Sequence, residues 1–337
     1  MFQAWNVADI TNEYFGVEGW ITGVVLTLIV GTVLLGGIRR IGKVAGTLVP
    51  AMVLIYIIAG FWVLFANIGA VPGMLKLIVV SAFVPTEAAG AFVGGTVGSA
   101  FLFGMKRAIF SNEAGQGSSA IAHAAAKTDE PVREGLVGGM EPFIDTIVVC
   151  TFTALIILST GIWNRAPDVA FDAEPVPVQT EAGWAYPDMQ LPPGEWQDQE
   201  ALLIIVEAGE NAATGQNIHR IGGIVSQTAS GFTASWQPID TAEMPRIVGG
   251  GFYQDHVGAT LTAKAFDSVT PGLGKWLITV ASWLFAISTI IAWGYYGEQG
   301  AIYMMGSKSA IPFRLVYCSL TFVATLGHIK TLSLIHI

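Results

Sequence analysis

The chain has 337 residues, 53% of them hydrophobic and only 12% charged, with 40 glycines and a net charge of −9. Soluble domains carry about 25% charged residues, and the apolar residues here form runs long enough to cross a bilayer, which excludes an ordinary water-soluble domain. Fourteen of the 25 acidic residues fall in the stretch 164–272, opposed there only by Arg165, Arg220, Arg246 and Lys264. The acidity therefore belongs to one extramembrane module, and with no basic patch to neutralise phosphates it excludes a nucleic-acid partner. Cys150 and Cys318 both lie in apolar runs and read as packing residues, with no disulfide or metal spacing. No basic segment precedes the first apolar run, so no signal peptide is read.

In chain order, residues before 19 read as polar loop, and six membrane segments follow. The first covers 19–38 and the second 44–67. A shorter apolar piece, 74–84, carries Lys76 between Pro72 and Pro85 and reads as interfacial or re-entrant. The third run, 88–126, is too long for one straight helix and is interrupted near 104–126. The fourth covers 142–163, the fifth 276–296 and the sixth 311–326. Arg39, Arg40 and Lys43 fill the first connection, Lys127 and Arg133 the one between the third and fourth spans, and Lys308 and Arg314 the last. Alternation puts all three on one side, which the positive-inside rule makes cytoplasmic.

The acidic module 164–272 is then outside. Residues 175–197, rich in Pro and Glu, read as irregular loop. Alternating or β-rich runs at 202–206, 218–225 and 231–239 predict a small β-rich insertion, and 256–266 a short surface helix. The division is thus four membrane segments in 1–163, the insertion in 164–272, and two more segments in 273–328. The last six residues, 332–337 (LSLIHI), read as an artefactual tail on a gene fragment and are set aside.

The chemistry concentrates at residues 104–126, GMKRAIFSNEAGQGSSAIAHAAA. Gly104, Gly115 and Gly117 permit backbone angles that end a helix. Ser111, Asn112, Glu113, Gln116, Ser118 and Ser119 gather polar groups at membrane depth. Glu113 alone would cost roughly 2.5–3.5 kcal/mol at the centre of a lipid-facing helix. Such a cluster suits a broken transmembrane helix, whose freed N–H groups receive a carboxylate and whose freed carbonyls receive a cation or an ammonium group. A zwitterionic amino acid needs both. The plainer reading is a small-residue packing seam with one structural Glu.

Three stretches together resemble the alanine or glycine:cation symporter family: FSNEAGQGS with IAHAAA after it, FAISTIIAWGYYGE at 285–298, and GGIRRIGKVA at 36–45 leading to Val49-Pro50. Ala108, where that family usually has Gly, and Ser119-Ala120, where it has Ala-Pro, depart from the pattern and bear on the local kink. The resemblance implies an all-α polytopic membrane protein, a fragment of the inverted-repeat, leucine-transporter-type sodium-symporter fold carrying the β-rich extracytoplasmic insertion. It implies symport of a small neutral amino acid, alanine or glycine, with sodium (or a proton) across the plasma (inner) membrane, with no other cofactor. The implied substrate residues are Ser111, Asn112, Glu113, Gly115, Gly117, Ser118, Thr289 and Trp293, with Trp293 limiting side-chain size. Ser288 and Thr289 are the implied sodium ligands. It further implies that a Gly-rich broken helix upstream supplies the other half of the site, so that half a site is expected here.

His123 reads either as interface packing or as a titrating gate. Glu141 and Asp145 stand one turn apart, and Glu298 ends the second match, 285–298, in either a gating or a structural role. Lys106 and Arg107 could pair with Glu113 or Asp145. The glycines 94, 95 and 98 read as close packing, since no strand precedes them. The alternative from another class is an intramembrane hydrolase using Ser118 or Ser119 with His123, which lacks both a positioned third group and a nucleophile elbow. A channel would want a continuous polar path. No GxxxxGK[ST] occurs, so an ion gradient is the expected energy source.

Overall fold

A computed structural model describes residues 1–81, 117–194, 196, 198, 200–209, 217–228, 231–256 and 259–326. The chain divides into two compact units, one of residues 1–71, 105–160 and 258–337 and one of residues 72–104 and 161–257. Of the sequence expectations, the residues 82–116 and the tail 332–337 lie outside the described part.

The first unit is helical. α1, Phe2–Phe15, replaces the loop expected before residue 19. Ala4, Val7, Ala8 and Thr11 are buried on it, a stripe at helical spacing. Gly16 ends it in the left-handed region at φ 64°, its N–H donating to the Asn12 carbonyl. α2, Gly19–Leu35, and α3, Gly37–Ala66, are separated by Gly36 alone. Arg39, Arg40 and Lys43 therefore sit in the first two turns of α3 rather than in a loop. The Arg40 guanidinium reaches back to donate to the Thr32 carbonyl at 2.7 Å, and Gly37 at φ 70° makes the tight reversal.

After α5, Ser118–Ala124, comes a continuous helical run, Pro131–Ser159, so the fourth span starts well before residue 142. It comprises α6, Pro131–Pro142, a π-helical stretch Phe143–Cys150, and α7, Thr151–Ser159. Pro142 has no N–H and its ring crowds the carbonyl four residues back, which accounts for a wider turn beginning there. α8, Ala259–Asp267, leads to α9, Leu273–Met305, and a short 3₁₀ turn leads to α10, Ala310–Leu326. Pro312 falls in the first turn of α10, where its missing N–H costs nothing. Among the described residues, four helices are long and apolar enough to cross a membrane: Gly37–Ala66, Pro131–Ser159, Leu273–Met305 and Ser307–Leu326; Gly19–Leu35 is apolar but shorter.

The core of this unit joins Leu26, Val30 and Leu34 of α2 to Ile287, Ile290 and Ile291 of α9 and Ala324 of α10. Glycines set the spacing. A Cβ on Gly19 or Gly23 would strike Thr325, and one on Gly294 would meet Leu34 and Tyr317 at 3.0–3.1 Å. On the other flank a Cβ on Gly60 of α3 would strike the Phe152 ring of α7, and Tyr56 hydrogen-bonds Thr153 there at 2.9 Å. Glu298, 4% exposed, is held by Arg314 through two parallel bonds of 2.8 and 2.6 Å. That pair gives Glu298 a structural role between α9 and α10.

In the second unit, α4, Val71–Ser81, is a short apolar helix. With β1 at Val169–Ala170, β8 at Arg246–Ile247 and β9 at Gly251–Gln254, the polar stretch folds as a seven-stranded sheet of order β1-β9-β5-β6-β7-β4, with β8 also on β5, and a separate hairpin β2-β3. Strands β5, Ala201–Glu207, β6, Ile218–Thr228, and β7, Gly231–Trp236, fall on the three β-type runs of the sequence. β5 sits between β6 and β9 and is buried on both faces. The stretch 175–197 is not wholly irregular: it contributes β2, Val178–Thr180, β3, Gly183–Ala185, and β4, Met189–Gln190. One face of the sheet packs Leu202, Ile204, Val225, Trp236 and Phe252 with Tyr186, whose hydroxyl donates to the Pro245 carbonyl at 2.9 Å.

Replacing Glu298 by Leu leaves Arg314 without its partner and should cost about 3–5 kcal/mol, read as a lower thermal unfolding midpoint. Adding Arg314→Leu should recover most of the loss. In the sheet, burial pushes the Tyr186 hydroxyl up to about 12 from 10.0. The folded state keeps the neutral phenol while the unfolded chain ionises, so this contribution is complete below pH 10 and is lost as pH rises towards 12. Tyr186→Phe should remove that alkaline limb from the tryptophan-fluorescence stability profile.

Candidate functional site

The site is built on the start of α5, the middle of α9 and the first half of α10. Gly117 precedes α5 at φ 80°, ψ −5°, a conformation that a side chain would strain, and a Cβ there would meet nothing within 4 Å. The backbone angle is therefore the requirement. Ser118 follows, 5% exposed, and its Oγ has no hydrogen-bond partner among the described residues. A buried hydroxyl left unpaired is costly.

Gly117, Ser118 and Ile121 form one wall of a cleft of about 500 Å³, with Trp293, Tyr296 and Gly297 of α9 and Phe313 and Tyr317 of α10 opposite, and Met1 at its edge. The volume is within the range of roughly 300–1,000 Å³ typical of small-molecule sites. Residues 293, 296 and 297 share one face of α9 by their spacing, as do 313 and 317 of α10. The Trp293 and Tyr296 rings meet edge to face, 5.8 Å between centroids, and Phe313 stacks on Tyr317 at 5.9 Å. The Tyr317 hydroxyl is committed to the Ile290 carbonyl at 2.9 Å. A Cβ on Gly297 would collide with the Phe313 ring, so this glycine lets the aromatic wall close up.

Of the residues singled out in the sequence, Gly117, Ser118 and Trp293 come together at this cleft. Ser111, Asn112, Glu113 and Gly115 lie outside the described residues, as do Lys106 and Arg107. Ser288 and Thr289 are not among the described residues lining the cleft. The Ser288 hydroxyl donates to the Phe285 carbonyl of its own helix at 2.9 Å. Sequence reasoning missed Ile121, Tyr296, Phe313 and Tyr317. Tyr296 was legible as the residue one turn beyond Trp293. Phe313 and Tyr317 had no signal, because nothing in the sixth span's hydropathy says which face meets α9.

Ser119 points away from Ser118, towards a second, larger and mainly apolar cleft of about 1430 Å³ that also takes His123, Glu141, Asp145, Phe285 and Tyr296. The Ser119 hydroxyl donates to Glu141 at 3.4 Å, and the His123 Nδ1 lies 2.6 Å from Glu134. α5 thus stands between two clefts, and Tyr296 borders both.

Comparison with known proteins gives the family. The sodium:alanine symporter family matches residues 1–182 and 237–336. The sodium/alanine symporter AgcS of Methanococcus maripaludis is 32% identical over 96% of this chain and 51% of its own length. The sodium/proton-dependent alanine carrier protein of Bacillus sp. strain PS3 is 28% identical over 96% of this chain and 56% of its own. The probable sodium/glutamine symporter GlnT of Bacillus subtilis is 44% identical over 44% of this chain and 30% of its own. The chain spans about half the length of the first two. These are transporters and not enzymes, which sets aside the hydrolase alternative.

In a background free of other cysteines, Ser118→Cys should react with a small methanethiosulfonate reagent through the smaller cleft. Adding Gly297→Phe should slow that reaction at least ~10-fold by filling the aromatic wall. Equal labelling rates in the two variants would place Ser118 elsewhere.

Proposed function

The chain belongs to the sodium:alanine symporter family, and on that premise we propose that it forms part of a secondary symporter that carries a small neutral amino acid, alanine or glycine, inward with sodium. The observation that carries this reading is the meeting of Gly117, Ser118 and Trp293 at one cleft, although the two ends of that group are far apart in sequence. A helix that starts afresh at an unstrained glycine, with an unpaired hydroxyl beside it, offers polar groups to a solute inside an apolar setting. The polar run 111–118 supplies the rest of this half of the site, with Ser111, Asn112, Glu113 and Gly115 on the substrate alongside Gly117 and Ser118.

Trp293, with Tyr296 and Phe313 lining the same cleft, walls it with rings, and its bulk limits the side chain admitted. Thr289, one turn from Trp293 on the same helical face, is the residue that the family resemblance adds to the substrate's surroundings. Ser288 and Thr289 offer hydroxyl oxygens to the coupling cation, sodium being the hard, oxygen-seeking choice. The names of the relatives include alanine, glutamine, sodium and proton, which supports cation-coupled amino-acid transport more strongly than any one substrate. The helices belong to an inverted-repeat fold of the leucine-transporter type, of which this chain carries one portion. The protein lies in the plasma membrane, with the acidic sheet module of 164–272 outside, following the positions of Arg39, Arg40, Lys43, Lys308 and Arg314.

The test is uptake by a full-length transporter carrying this segment, reconstituted in liposomes. Asn112→Ala or Glu113→Ala should abolish sodium-driven alanine uptake without loss of protein, and normal uptake in both would remove the site assignment. Trp293→Ala should admit bulkier amino acids at a rate at least ~10-fold above wild type, as one cleared ring's volume allows; an unchanged substrate range would end its role as filter.

A further inference from the structure

A socket outside the smaller cleft holds His123. Glu134, Gly138 and Glu141 stand at i, i+4 and i+7 on α6 and therefore share one face. His123 Nδ1 lies 2.6 Å from Glu134, and its Nε2 lies 3.7 Å from Glu141. Between the two carboxylates, a Cβ on Gly138 would come within 3.0 Å of the ring. The glycine is thus the floor on which the imidazole sits. Both ring nitrogens face a carboxylate, one on each side.

A neutral imidazole has one N–H and one lone pair, so it can donate to only one of these two carboxylates and turns a lone pair to the other; an imidazolium donates to both. We propose that His123 is a proton-operated latch between α5 and α6: protonated, it binds Glu134 and Glu141 together and locks α5 onto α6, and on losing its proton it lets go of one side.

The surroundings leave His123 as the group that changes. On α5 itself, Ser119 donates to Glu141. Asp145, one turn past Glu141, lines the same cleft, as does Tyr56 of α3, whose hydroxyl is paired with Thr153. α9 packs against α5 and brings Tyr296 to the cleft; its two charged residues are Lys275, set over the Phe15 ring, and Glu298, bound by Arg314. Lys127 lies beyond the end of α5 at Ala124, and Arg133 is paired with Glu130. The state of the latch bears on transport because α5 carries Ser118 on its other side. Only that consequence rests on the symport reading; the latch does not.

The experiment measures amide hydrogen exchange of residues 118–124 in the purified full-length transporter at pH 5.5 and 8.5, corrected for intrinsic rates, beside the pH profile of sodium-driven alanine uptake. In the wild type, protection should fall about tenfold or more between the two pH values as local opening becomes easier. His123→Gln should make protection independent of pH and flatten the uptake profile. Gly138→Leu, which lifts the ring from its seat without altering any charge, should do the same. Equal wild-type protection at both pH values, or an unchanged pH response in both variants, would overturn the latch. A pH response in exchange with no alanine uptake at all would uphold the latch and count against the transport reading.

Discussion

Everything in the helical unit depends on how closely α2, α9 and α10 approach one another. In lipid, apolar side chains gain little by leaving the solvent for each other, so helices associate through close contact and hydrogen bonds. Here Gly19 and Gly23 bring α2 against Thr325, and Gly294 brings α9 against Leu34 and Tyr317. The same closeness lets the Tyr317 hydroxyl reach the Ile290 carbonyl and lets Arg314 close on Glu298. Those contacts in turn fix where Trp293, Tyr296, Phe313 and Tyr317 stand. The aromatic wall of the smaller cleft thus follows from glycine spacing, part of it at Gly294 and Gly297 beside the rings themselves.

α5 is the element on which the functional reading turns. It is short, it begins at a left-handed glycine, and successive serines on it serve different clefts. Ser118 is buried and unpaired on one side, while Ser119 and His123 are tied to carboxylates of α6 on the other. A helix fastened to α6 on one side, with a cleft on the other, is well suited to pass a change in its fastening to whatever occupies that cleft. Tyr296, bordering both clefts, is the α9 residue best placed to register such a shift.

Hydropathy made the long spans legible, because a run of twenty apolar residues has few other uses. It gave poor ends: Arg39, Arg40 and Lys43 read as loop, yet a single glycine suffices to reverse the chain and the long basic side chains extend from the first turns of α3. α1 went unread because its buried stripe of Ala4, Val7, Ala8 and Thr11 is thin and interleaved with Asn, Asp and Glu. In the sheet, β5 to β7 announced themselves by alternation, whereas β2 to β4 have two or three residues each, too few for any period to show. At the site, Gly117 and Ser118 carried a signal in their own polar, glycine-rich run, and Trp293 was legible through the resemblance of 285–298. The pairs Glu298–Arg314 and His123–Glu134 did not, since each depends on which faces of two helices meet. Ser288 and Thr289 rested on the family resemblance, and neither is among the described residues that line the smaller cleft.

The π-helical stretch Phe143–Cys150 lies between two anchored ends of a single long run. Upstream, Glu134 and Glu141 are engaged by His123; downstream, Phe152 and Thr153 are gripped by Gly60 and Tyr56 of α3. A π turn spends more residues per revolution than an α turn, so a segment of this kind can change its winding by a residue as its N–H groups switch between carbonyls five and four residues back. That gives the run a place to absorb torque: the upstream half can rotate about its own axis while the downstream half stays seated. The carboxylates facing α5 and the rings facing α3 need not move as one rigid rod.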